Sequence, residues 1–70
     1  MFLEVELTAG TMFKDAYIQA YNLGRKLECH IKFRFNGVDV RVYTNRPMNV
    51  ENAEEIYDDV VKTRDKNIYV

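Results

Sequence analysis

The sequence predicts a small α+β domain, a two-layer sandwich in the order β-α-β-β-α with a candidate final strand. Three observations carry this reading. Residues 26–44 alternate apolar and polar side chains around an Asn36-Gly37 dipeptide. Two other stretches, beginning at Met12 and Val50, repeat their apolar positions at helical spacing. A chain of 70 residues is also too short to bury a second core, so residues 1–70 are read as one domain.

The elements follow in order. Leu3, Val5 and Leu7 alternate with Phe2, Glu4 and Glu6, which predicts a half-buried strand over residues 2–7. Thr8-Ala9-Gly10-Thr11 reads as a turn with Thr11 as helix N-cap. From Met12, the residues Met12, Phe13, Ala16, Tyr17, Ala20 and Leu23 gather on one broad face of a helix that Gly24 is expected to end. Leu27, Cys29, Ile31, Phe33 and Phe35 then share one face of a strand, with Lys26, Glu28, His30, Lys32 and Arg34 on the other. Asn36-Gly37 tolerates the positive φ angles of a two-residue type I′ turn, and Val38, Val40 and Val42 continue the apolar face. Such a turn fixes the register, pairing Phe35 with Val38, Arg34 with Asp39, Phe33 with Val40, Lys32 with Arg41, Ile31 with Val42 and His30 with Tyr43. Asn45-Arg46-Pro47-Met48 breaks the strand. Asn49 caps a second helix with an apolar stripe of Val50, Ala53, Tyr57, Val60 and Val61, closed by Lys62, Arg64 and Lys66. Ile68-Tyr69-Val70 is a candidate edge strand.

This order is that of the ferredoxin-like split β-α-β arrangement, with both helices on one face of an antiparallel-rich sheet. Without the final strand, the expectation is a three-stranded sheet under two helices.

Composition narrows the function. Ten basic and eleven acidic residues leave a net charge of −1, so bulk charge draws the chain to neither nucleic acid nor an anionic membrane. There is no serine or tryptophan and only one cysteine and one histidine, which excludes a serine triad, an intramolecular disulfide and a Cys/His-rich zinc site. Glu4 and Glu6 interrupt the apolar start, so no signal peptide or membrane span is expected and a cytoplasmic location is. No cofactor or metal is called for, and catalysis finds no converging acid, base or nucleophile. A metal-carrying domain of this order needs a Cys-x-x-Cys loop after the first strand, which Thr8-Ala9-Gly10-Thr11 does not supply. An RNA-recognition motif stacks bases on its central strands, where this chain places Glu4, Glu6 and Asp39 among its outward residues. Cys29-His30 reads as a catalytic pair in text, but neighbours on a strand point to opposite faces, so the thiol is a core residue and the imidazole a surface partner of Tyr43.

Three surfaces remain. Glu51, Glu54, Glu55, Asp58 and Asp59 fall on the solvent side of the second helix, and their like-charge pairs four residues apart disfavour the helix by a few tenths of a kcal/mol each. A solvated face is the plainer reading. A docking surface for a protein with a basic surface, such as one that binds nucleic acid, is the functional one. Residues 51–70 carry three basic and six acidic side chains, against seven and five in residues 1–50, so the acid is concentrated in one element. The leading expectation is therefore a small non-enzymatic regulator or inhibitor docking through this helix, of a kind suited to phage or other mobile elements. The alternative is a nucleic-acid-binding module using His30, Lys32, Arg34, Arg41 and Tyr43 on the outer face of the hairpin, against the plainer reading of a mixed-charge face. Tyr17, Ile18 and Tyr21 on the first helix are a candidate homodimer interface.

Overall fold

The computed structural model describes residues 1–7 and 12–70. Six elements follow one another: β1 (Phe2–Glu4), α1 (Phe13–Leu27), β2 (His30–Phe35), β3 (Val38–Val42), α2 (Val50–Thr63) and β4 (Asn67–Tyr69). The four strands make one mixed sheet in the order β1-β2-β3-β4. β1 pairs with β2 and β3 with β4 in parallel, while β2 and β3 are antiparallel. Two β-α-β units are thus joined back to back by the hairpin, and the helices pack over one face to give a two-layer α+β fold. The antiparallel-rich, ferredoxin-like order is not the one observed. Each strand pairs with its successor in the chain, the commonest choice for consecutive elements.

The hairpin has the register its turn demands. Asn36 and Gly37 take φ of 49° and 79°, and Phe35↔Val38, Arg34↔Asp39, Phe33↔Val40, Lys32↔Arg41 and Ile31↔Val42 are partners. Ile31, Phe33, Val38, Val40 and Val42 are buried beneath Phe13, Ala16, Tyr17, Ala20 and Tyr21 of α1 and Ala53 and Val60 of α2. Ile68 brings β4 into the same core, so the sheet is four-stranded rather than three.

Several boundaries differ from the sequence pattern. β1 is three residues long, and Val5 extends its pairing by donating to the Lys32 carbonyl at 2.9 Å. Leu3 remains 41% exposed, because an edge strand this short is only partly roofed by the helices. The turn expected at Thr8-Ala9-Gly10-Thr11, with its Thr11 cap, lies outside the described residues. Met12 occupies the cap position of α1 without a side-chain capping bond.

Gly24 does not end α1. The helix passes through it to Leu27, and a Cβ there would collide with the Thr44 methyl, the Cys29 carbonyl oxygen at 2.6 Å and the Ile31 side chain at 3.0 Å. Its role is close approach of helix to sheet. The helix ends instead at Glu28 in the left-handed conformation, φ 55°, and the Gly24 carbonyl accepts from the amides of Glu28 and Cys29.

α2 starts as expected, with the Asn49 side chain accepting from the Asn52 amide at 3.0 Å. Its inward stripe is Ala53, Ile56, Tyr57 and Val60, while Val61 is exposed. Spacings of three, four and seven place Ile56 rather than Val61 in register with Ala53. The helix stops at Thr63, Arg64 turns left-handed at φ 60°, and Asp65 Oδ1 accepts from the amides of Lys66 and Asn67 to lead the chain into β4.

Candidate binding faces

With both helices on one side, the outer face of the sheet has no layer above it among the described residues. Alternation along each strand and the strand register together set out three rows of outward side chains. Phe2, His30 and Tyr43 form one, their ring centroids 5.2 to 5.4 Å apart. Glu4, Lys32, Arg41 and Tyr69 form the next, across all four strands. Arg34, Asp39 and Asn67 form the third.

The cations of this face fall into two groups. Lys32 sits 3.8 Å from Glu4 and Arg34 3.2 Å from Asp39, so two of the three carboxylates expected to oppose an anion are matched by a cation, while Glu6 is exposed with no cation within 4.0 Å among the described residues. Arg41 reaches Asn67 Oδ1 at 3.2 Å and lies over the Tyr69 ring at 5.2 Å. Arg46, from the β3–α2 connection, lies over the Tyr43 ring at 4.5 Å. Among the described residues no carboxylate lies within salt-bridge distance of either arginine.

The five expected face residues, His30, Lys32, Arg34, Arg41 and Tyr43, are therefore brought together. Sequence reasoning left out Tyr69 and Arg46. Alternation with the inward Ile68 was a signal for Tyr69. Arg46 had none, because a loop residue acquires its place from the path of the chain.

Cys29 and His30 part as expected. The Thr44 amide donates to His30 Nδ1 at 3.1 Å, and since an amide can only donate, the ring proton resides on Nε2. The Thr44 hydroxyl donates to the Cys29 carbonyl at 2.7 Å, and the Cys29 side chain packs against the core.

The acidic residues of α2 occupy the opposite layer. Glu51, Glu55, Asp58 and Asp59 are exposed and Glu54 is half-buried. Glu51, Glu54, Glu55 and Asp58 line one shallow depression with Asn49 and Asn52, and Asp59 stands outside it. None of the five lies within 4.0 Å of a cationic side chain among the described residues, in contrast to Glu4 and Asp39. No group of three His, Cys, Asp or Glu side chains among the described residues is arranged to hold a metal ion.

The tyrosine surface of α1 is corrected. Tyr17 is 1% and Tyr21 8% exposed, and both hydroxyls are engaged: Tyr17 accepts from the Asn49 amide at 3.1 Å, and Tyr21 donates to the Arg46 carbonyl. Helical projection put Tyr17 at the border of the apolar face and Tyr21 outside it, but the β3–α2 connection folds over both. Only Ile18 of the expected trio is partly exposed.

The geometry defines a small two-layer α+β domain with an open basic and aromatic sheet face and an acidic helix on the other layer. Comparison with protein-family models, curated proteins and solved structures finds no match. No helix among the described residues is long and apolar enough to cross a membrane.

Proposed function

We propose that the protein is a small non-enzymatic interaction protein, a regulator or inhibitor, that docks on a protein partner with a basic surface through α2. The observation that carries this is the unpaired state of the stripe: five carboxylates on one helix, four gathered around one depression and none within 4.0 Å of a cation among the described residues. Like-charge neighbours four residues apart disfavour the isolated helix, and a basic surface brought against them turns that repulsion into attraction. Long-range attraction acts first on the encounter rate, so association should be fast and sensitive to salt.

The test uses Glu55→Lys, Asp58→Lys and Asp59→Lys together, all exposed and away from the helix start. Immobilised wild-type protein should retain basic proteins from a lysate at about 50 mM salt and release them as the Debye length shortens toward about 300 mM. The folded triple variant, checked by circular dichroism, should lose them. Equal capture by both proteins would reduce the stripe to a solvated face.

A further inference from the structure

We propose that the open face of the sheet binds single-stranded nucleic acid, through the arginine–tyrosine pairs Arg41–Tyr69 and Arg46–Tyr43 together with Phe2 and His30. Charge complementarity is the first support. Glu4 and Asp39 are offset by Lys32 and Arg34, which leaves Arg41 and Arg46 as cations that no carboxylate meets among the described residues. A phosphodiester supplies the missing anion.

Exposed aromatic rings are the second. Tyr69 is 53% and Phe2 38% exposed on a face with no helix above it, and each base offers a π-face to such rings. The arginines lie over the rings of Tyr69 and Tyr43, which places phosphate neutralisation beside base stacking. His30 adds a donor, because its Nδ1 is occupied by the Thr44 amide and its proton is on Nε2.

Geometry selects a single strand over a duplex. Phe2 on β1 and Tyr69 on β4 lie on the two edges of the sheet, three inter-strand spacings apart, or about 14 Å. An extended strand crossing the sheet can reach both platforms. A duplex keeps its base faces stacked inside, so it offers the exposed rings no base to stack on. This site is separate from the α2 stripe and does not depend on the reading proposed for it.

The experiment is fluorescence anisotropy with labelled oligo-dT and oligo-rU of about 15 nucleotides, against a duplex competitor, at about 50 and 250 mM salt. The wild type should bind the single strands at low salt and weaken as salt rises, and the duplex should compete poorly. Arg41→Gln with Arg46→Gln should weaken binding at least tenfold and reduce the salt slope by about 1.4, as expected for two lost phosphate contacts on a single strand. Tyr69→Ala should weaken it about tenfold with a smaller change in slope. Arg41 also ties β3 to β4 through Asn67, so Arg46→Gln alone, in the connection, is the variant to use should the double variant fail to fold.

Absence of binding at low salt overturns the proposal, as does binding indifferent to Arg46 and Tyr69, or equal competition by duplex. Salt-sensitive self-association, seen by sedimentation and abolished by the same arginine substitutions without any oligonucleotide binding, would assign the face to α2 of a second copy instead.

Discussion

Gly24 gives a residue-scale prediction in which two effects oppose one another. Helix propensity alone says that Gly24→Ala inside α1 should stabilise by about 1 kcal/mol. The added methyl would meet the Thr44 methyl, the Ile31 side chain and the Cys29 carbonyl, and a backbone carbonyl already held by the Thr44 hydroxyl has little room to yield. Overpacking of this kind costs about 1–3 kcal/mol or more, so the net effect should be destabilising, measured as a lower urea midpoint. A raised midpoint would mean that the helix stands off the sheet at this point. Glu28 and Arg64 predict the opposite sign. Both end helices at positive φ, where a Cβ costs about 1–2 kcal/mol, so Glu28→Gly and Arg64→Gly should each recover part of that and raise the midpoint. Unchanged or lowered midpoints would contradict the two left-handed caps.

At the scale of elements, the hairpin was the part most legible in the sequence. Two signals agreed there: strict alternation gave the face of each residue from His30 onward, and Asn36-Gly37 gave the register. Lys26 and Leu27, read into the strand by the same alternation, belong instead to the last turn of α1, with Leu27 exposed. Gly37→Val should therefore destabilise by about 1–2 kcal/mol through the forced positive φ alone, since nothing lies within 4 Å of the added Cβ. A wild-type melting temperature would refute the turn. Strand order was not legible, because alternation reports which face a side chain occupies and is silent on which strand lies alongside. The burial of Tyr21, and the full burial of Tyr17 at the border of the apolar face, were missed for a related reason. Helical projection measures angle around one axis, whereas these rings are covered by a connection more than twenty residues away in sequence. That clamp is itself testable. Tyr17→Phe leaves the Asn49 amide without its partner at the α2 cap, and should cost about 1–2 kcal/mol in chemical denaturation. No loss would show that water replaces the hydroxyl there.

Across the whole molecule, the fold separates two chemistries onto its two layers. The sheet face holds arginines over tyrosines, and α2 holds five carboxylates with no cationic group within 4.0 Å among the described residues. Of the candidate sites, the acidic stripe and the hairpin residues were legible because both lie on regular elements, whose periodicity assigns faces. Arg46 comes from a connection with no period, and the layer separation itself depends on both helices packing on the same side.

The claim that these are two independent binding faces is tested most directly by one paired measurement. The α2 variant Glu55→Lys, Asp58→Lys, Asp59→Lys and the sheet variant Arg41→Gln, Arg46→Gln are each assayed for capture of basic proteins and for oligonucleotide anisotropy. The account predicts a double dissociation: the α2 variant loses protein capture and keeps oligonucleotide binding, and the sheet variant does the reverse. Two folded variants that lose both activities together, or neither, would contradict it.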